Sequence, residues 1–427
     1  MKTTHFDIAI IGAGPAGLAA ARVASADAGV RVALIDDNPR PGGQIWRQGP
    51  AAAPSPFLRE WIATTAQRTN LERISATKVA AAPGDKRLLL ERDGAPAVVT
   101  YSKLILTTGA RERLLPFEGW TLPGVTGAGG LQALVKGGLP VRSERIVVAG
   151  SGPLLLAVAD TARRHGADVL AVIEQAPMAR VARFVASLGA TPGKFAQALS
   201  LGRALGVSRY RAGSVVVKAQ GQGRVEAVTI RTRNGDEVIE ADRVACGYGL
   251  VRNATLALAL GCTVDERGAI RIDDNQRTSL TDVFAAGECT GIGGMELSRT
   301  EGACAGHAAL GVPIDARLAR ERNRWRTFAA RVDRAFALGA DARAMPPADT
   351  LICRCEDVRI GDVAAHGSWR DAKLQTRCGM GACQGRICGE AAALYFGWPR
   401  AIAREPFTPI RIDTLIAACE LAEPNEE

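Results

Sequence analysis

Hydrophobic positions fall in short unbroken runs separated by glycine turns and helical stretches. Ile8 to Ile11 is such a run, as a parallel strand buried on both faces requires. Gly12-Ala13-Gly14-Pro15-Ala16-Gly17 follows at once, then an alanine-rich helical stretch to about Ala26 and a second run, Val30 to Ile35, closed by Asp36 and Asp37. The order strand, glycine turn, helix, strand, acid predicts a dinucleotide-binding βαβ unit. Gly12 permits the tight turn, Gly14 lets a pyrophosphate approach the backbone, and Gly17 lets the helix pack close to its strand. Asp36, 24 positions after Gly12, stands where a carboxylate accepts bonds from ribose hydroxyls.

The same pattern recurs further along. Ile146 to Ala149 is apolar, Gly150-Ser151-Gly152-Pro153-Leu154-Leu155 is the turn, a helix runs to about Arg164, and Val169 to Ile173 ends at Glu174. Glu174 follows Gly150 by the same 24 positions, so one supersecondary unit is repeated and inserted into the chain of the other. Leu155 stands where Gly17 stands in the first copy and is expected to push the helix off its strand. Three states of this second site stay open: NAD, an adenine nucleotide, or nothing. Glu174 disfavours a 2′-phosphate, so NAD is expected over NADP.

Other apolar runs end in small or polar residues, where α/β sheets bind ligands. Leu104 to Leu106 leads into Thr107-Thr108-Gly109, and Val283 to Ala286 leads into Gly287-Glu288. The loop Pro39-Arg40-Pro41-Gly42-Gly43-Gln44 belongs to the same edge. Residues 72–104 and 213–245 read as short strands broken by turns. Thr300 to Ala309 reads as a helix. So does Arg317 to Leu338, where Trp325, Phe328, Val332 and Phe336 form one apolar stripe, expected to dock a connector on the body or, alternatively, another subunit. Met345-Pro346-Pro347 then breaks the chain.

Composition narrows the picture. The 427 residues are 47% apolar, which supports two or three real cores and argues against global disorder. The excess of 53 basic over 44 acidic residues is spread along the chain, with no aromatic–basic interleaving of the kind nucleic-acid modules carry. Met1 to Phe6 lacks a signal-peptide pattern, and no apolar stretch is long enough for a membrane span, so a cytoplasmic protein is expected.

Ten cysteines in so long a chain do not make a disulfide scaffold, and their crowding near the C-terminus points to metal or redox chemistry. Cys353-Arg354-Cys355 and Cys378-Gly379-Met380-Gly381-Ala382-Cys383 are separated by 22 residues. Four thiolates from two tight turns suit zinc or iron–sulfur, and the close first pair favours [2Fe–2S]. Cys383 is expected to open a helix through Leu394, Arg354, Arg377 and Arg386 to compensate charge, and Cys388 to stand outside the ligand set. Cys246, Cys262, Cys289, Cys304 and Cys419 are read as small apolar packing residues.

Taken in order, the glycine turn, the PGGQ loop, the TTGAR strand end and VFAAGE resemble two-dinucleotide-domain flavoproteins of the glutathione and thioredoxin reductase superfamily. The resemblance covers about residues 5–310. It implies an α/β fold of two Rossmann-like domains, one inserted in the other, with FAD held by Gly12, Gly14, Gly17 and Asp36. Gly43, Gln44, Thr108, Gly109, Gly287 and Glu288 would line the rest of the flavin nucleotide, although the superfamily usually has Asp where Glu288 stands. The redox cysteine pair of disulfide reductases is absent from this part. The tail, with CRCE and CGMGACQGRICG, resembles the small [2Fe–2S] domain of bacterioferritin-associated ferredoxin, with a shorter spacer and a wider second pair. The plan is similar to the large flavin subunits of D-hydroxyproline dehydrogenase, opine oxidases and hydrogen cyanide synthase. The division implied is 1–115 with 245–312 for FAD, 116–244 for a nicotinamide-like domain, 313–346 for a helical connector and 347–427 for the iron–sulfur domain.

The resemblance implies an electron-transfer subunit working beside an amine-oxidising flavoprotein and a small ferredoxin-like subunit. An NADH-dependent flavin and iron–sulfur reductase is the alternative enzyme, and a scaffold subunit is the non-enzymatic one. With four histidines and no nucleophile–base grouping in the sequence, no catalytic acid or base is assigned.

Overall fold

The computed structural model describes residues 3–49, 54–399 and 404–422. These divide into two compact units, one drawn from 1–111, 251–330 and 402–427, the other from 112–250 and 331–401.

The first unit is built on the strand Thr3–Ile11, flanked in parallel by Val32–Ile35 and by the long strand Ala95–Leu106. Leu71–Ile74 extends one side, and Val283–Ala285 pairs with the far end of Ala95–Leu106. That long strand also pairs antiparallel with Arg87–Arg92, which in turn pairs with Thr77–Ala81. Ala9, Ile11 and Leu104 face one core, while Ile8, Ile10 and Ile105 face another. Burial on both faces is why these runs are continuously apolar rather than alternating. The helix Pro15–Ala24 follows the first glycine turn with Pro15 at its first position, where a missing N–H costs nothing. Against it lies the helix Gly294–Leu310, longer than the expected 300–309. A Cβ at Gly302 would meet the Ala16 carbonyl oxygen at 2.1 Å, so the two helices touch backbone to backbone.

The second unit carries a parallel sheet in the order Tyr210–Ala212, Asp168–Glu174, Arg145–Gly150, Arg243–Gly247, Val125–Gly127. A three-stranded antiparallel sheet, Val215–Gln220, Ala227–Thr232 and Gly235–Glu240, stands beside it. Leu155 does not spoil the fold. The helix Leu154–Arg164 starts one position later than its counterpart in the first unit, and Leu155 is buried among Ile146, Val148, Val169 and Ala245.

The cysteine-bearing stretch belongs to this unit. It has a two-stranded ribbon, Leu351–Cys353 with Val358–Arg359, and helices Ile360–Ala364, Trp369–Thr376 and Cys388–Phe396. Trp120 Nε1 donates to the Leu351 carbonyl at 2.6 Å, and the Arg354 guanidinium lies 5.0 Å over the Trp120 ring.

One expectation is corrected here. The tail over 404–422 does not continue the cysteine domain. Ala417 packs with Ala80, Leu89 and Val98 of the first unit, and the Arg411 amide and Thr414 hydroxyl donate to Glu91 Oε2. The connector helix, Ala316–Ala335, buries Arg322 fully, while Trp325, Phe328 and Val332 on it and Phe336 just beyond it are half-buried. No helix among the described residues is long and apolar enough to cross a membrane.

Candidate functional site

The first glycine turn is a cradle closed from three sides. Gly12 has a φ of +107°, and a Cβ there would stand 2.3 Å from the Thr107 carbonyl oxygen. A Cβ at Gly17 would lie 1.8 Å from the Gly12 carbonyl oxygen, so helix and turn meet at a distance only glycine allows. The PGGQ loop folds back over the turn. The Gly42 amide donates to the Ala13 carbonyl at 2.8 Å, and a Cβ at Gly43 would reach the Gly14 Cα at 2.9 Å. Gly287 arrives from the other side, its absent Cβ 2.8 Å from that of Ala16. Its amide donates to Glu301 Oε2 at 3.1 Å.

Asp36 ends its strand half-buried. Its Oδ2 accepts the Ala13 amide at 2.5 Å, and its Oδ1 accepts the Asn38 amide at 2.7 Å. Asp37 is exposed and accepts from Asn38 Nδ2. Gln44 is exposed, its side-chain oxygen taken by Arg47. Thr108 and Gly109 are pinned by Asn253: the Thr108 hydroxyl donates to the Asn253 carbonyl at 2.5 Å, and the Asn253 amide donates to the Gly109 carbonyl at 3.0 Å. Glu288 follows Gly287, and enclosure of its carboxyl pushes it up, offset by the Gly294 amide. The residues expected around FAD therefore converge at the carboxyl ends of one sheet. The turn lacks side chains at 12, 14 and 17 and presents the N–H groups of a helix N-terminus, which fits a pyrophosphate.

Thr107, Asn253 and Glu301 support this cradle, and none was assigned a role from sequence. Thr107 could have been, as the residue closing the Leu104 to Leu106 run. Asn253 and Glu301 carry no local signal, because they act from elsewhere in the chain.

The second turn is different. Glu174 is fully buried, its oxygens accepting the Gly152 amide at 2.7 Å and the Ala176 amide at 2.8 Å. Burial pushes its carboxyl up to about 7 despite those bonds. Gly150 is required by the neighbouring strand: a Cβ would sit 1.7 Å from the Gly247 carbonyl oxygen.

In the cysteine domain, the sulfurs of Cys353, Cys378 and Cys388 all lie within 4.8 Å of one another and are buried. Cys355 and Cys383 are in hydrogen-bonding contact with each other. Cys388, expected to stand aside, is thus gathered with two of the expected ligands. The helix opens at Cys388 rather than Cys383, because residues 382–387 are spent on turns. Gly381 lets the chain pass Cys355, where a Cβ would approach the Cys355 Cβ to 2.2 Å, and Gly379 gives way to the Trp369 ring. Arg377 is paired with Glu356 at 2.8 Å, and Arg354 lies over Trp120 while feeling the Cys355 thiol electrostatically. Sulfurs so close repel as thiolates unless protons or a shared cation lie between them, and an all-sulfur donor set fits zinc or iron–sulfur. Of the remaining cysteines, four are buried and Cys419 is exposed, contrary to its expected packing role.

Residues 6–307 match the pyridine nucleotide-disulphide oxidoreductase family. The chain belongs to that family. It is an FAD-dependent oxidoreductase of two Rossmann-like domains. It is 33% identical over 421 residues to hydrogen cyanide synthase subunit HcnB of Pseudomonas protegens, covering 89% of each chain. It is 30% identical over 461 residues to an opine oxidase subunit of Rhizobium meliloti, covering 96% of this chain and 87% of that one. Among solved structures, L-proline dehydrogenase from P. horikoshii superposes with a TM-score of 0.68 at 17% identity, over 97% of this chain and 80% of that chain. Thioredoxin reductase from T. acidophilum superposes with a TM-score of 0.57 at 21% identity, over 72% of this chain and 98% of that chain. These two establish shared fold only.

Proposed function

We propose that the chain is the electron-transfer subunit of a cytoplasmic, multi-subunit dehydrogenase or oxidase acting on the C–N bond of an amino acid or opine, D-hydroxyproline being favoured. One observation carries the reading: three buried sulfurs within 4.8 Å, in a chain whose other module is built for FAD. FAD takes up electrons in pairs and a [2Fe–2S] centre passes them singly, which is the chemistry the two groups supply. The polypeptide's part is to hold them. Gly12, Gly14, Gly17 and Asp36 would bind the FAD pyrophosphate and ribose, and four of the thiols at 353, 355, 378, 383 and 388 would hold the cluster. Relatives named as subunits of hydrogen cyanide synthase and opine oxidase support a place in an assembly. The partners in this reading are an amine-oxidising flavoprotein chain and a small ferredoxin-like chain.

Anaerobic purification with its genomic neighbours tests the proposal. FAD and about two irons per chain are expected, with dye reduction by D- or L-amino acids or opines only when a partner chain is present. Zinc in place of iron, or amino-acid oxidation by this chain alone, would overturn it. Cofactors that stay oxidised while the whole complex turns over would leave a scaffold role in its place.

A further inference from the structure

The second dinucleotide module has its own chain lying where a nucleotide would lie. The missing Cβ of the turn's second glycine is what lets a pyrophosphate approach such a module. At Gly152 that space faces the Phe336 side chain, with Cβ at 3.8 Å and Cγ at 3.9 Å. The Ser151 hydroxyl donates to the Phe336 carbonyl at 2.8 Å. Gln175, next to the acid expected to hold a ribose, bridges the same segment. Its Nε2 donates to Ser151 Oγ at 3.0 Å and to the Ala337 carbonyl at 3.2 Å, and its Oε1 accepts the Gly339 amide at 2.9 Å. Arg180 also donates to the Ala337 carbonyl, and the Phe336 ring packs edge-on against Phe184 at 5.2 Å.

The crevice is filled on its other side too. Gly247, beside Gly150 in the sheet, faces the Glu112 carboxylate, whose Oε1 would stand 2.3 Å from a Cβ there. Glu112 accepts the Gly129 amide at 2.8 Å. It thereby occupies the N-terminus of the helix Ala128–Lys136, a place where a ligand anion would be favoured.

We infer that residues 336–339 and Glu112 are the resident occupants of the second nucleotide crevice, so that this module is a socket for the chain's own peptide and takes no nicotinamide. Backbone carbonyls of 336 and 337 accept the hydrogen bonds that phosphate or ribose oxygens would accept. Electrons must then reach the flavin from a partner chain's substrate rather than from NADH. The inference does not depend on the nature of the cysteine site, whose metal content is read separately.

The test titrates NADH and ADP anaerobically against the flavin-loaded full chain, followed by flavin absorbance and by hydrogen exchange of segments 150–152, 174–180 and 336–339. The native chain is expected to show neither bleaching nor altered exchange up to about 1 mM of either nucleotide, a limit of roughly 4 kcal/mol of binding. Phe336→Gly is expected to bind ADP at least about tenfold more tightly than the native chain. Gln175→Ala removes the acceptor for the Gly339 amide, so that amide should exchange faster, and this variant serves should Phe336→Gly fail to fold. Protection of the strand Arg145–Gly150 reports folding in both. Nucleotide binding by the native chain would overturn the inference. So would a folded Phe336→Gly chain that gains no ADP affinity, or a folded Gln175→Ala chain whose Gly339 amide exchanges no faster, because the segment would then not be docked in the crevice as inferred.

Discussion

Thr107 braces Gly12: its hydroxyl shares one proton between the Ile11 carbonyl at 2.8 Å and the Gly12 carbonyl at 2.9 Å. A glycine turn is free to adopt many conformations, so something must hold it in one. Here a buried hydroxyl from a parallel strand does so. Thr107→Val keeps the shape and removes both bonds, at a cost of about 1–2 kcal/mol. FAD should then dissociate roughly tenfold faster, which dilution with flavin fluorescence measures. Unchanged release would show that the turn holds itself.

Gly17 and Leu155 hold the same position in the two repeats, and their substitutions should fail for opposite reasons. Gly17→Ala drives a methyl into the Gly12 carbonyl, so the first helix must move, and the chain should purify with little FAD. Leu155→Ala empties a core position that is 1% exposed and should cost about 2–5 kcal/mol in the second unit while FAD stays bound. Flavin content and denaturant melts of each variant separate the two outcomes.

Single Cys→Ser replacements at 353, 355, 378, 383 and 388 should sort five thiols into four ligands and one bystander. Four variants are expected to lose the visible iron–sulfur absorption and their iron, and one to keep both. Iron retained in two or more variants would mean that the group holds something other than a four-thiolate centre.

Glu112 and Glu174 make the second unit sensitive to pH. Burial, only partly offset by backbone N–H donors, raises each carboxyl from 4.5 to about 7. The folded state therefore holds protons that the unfolded chain has released, so stability is fullest below about 4.5 and is lost as pH rises toward 7. The loss is on the order of 3 kcal/mol for each group at most. Glu174→Gln cannot titrate. It should be less stable at low pH, because one of two backbone donors loses its acceptor, and its stability should change less between pH 5 and pH 8. Urea melts at both pH values, followed by hydrogen exchange in the second unit, check this. An unaltered pH dependence would assign the effect elsewhere.

Much of the first module was legible locally. Gly12, Gly14, Gly17 and Asp36 are close in sequence, and each serves a backbone geometry that nearby residues dictate. The strand ends at Thr108 and Gly287 were readable for the same reason, since an apolar run stopping at glycine marks a sheet edge. The supports Asn253 and Glu301 were not, because they lie far along the chain from the residues they hold. Cys388 was set aside because four thiols were already supplied, yet the fold gathers its sulfur with those of Cys353 and Cys378. Where the helix starts, five residues after Cys383, decides which sulfurs meet.

Sequence alone determined the two repeats, the family and the sulfur-rich tail, because glycine turns and continuous apolar strands are local signals set by sterics and burial. Tertiary structure decided what surrounds each repeat. Asp36 keeps a half-exposed carboxylate beside its cradle, while Glu174 is fully buried and its neighbour Gln175 is bonded to residues 337 and 339. Gln175 meets a segment more than 160 residues away, and no pattern confined to either stretch encodes the encounter.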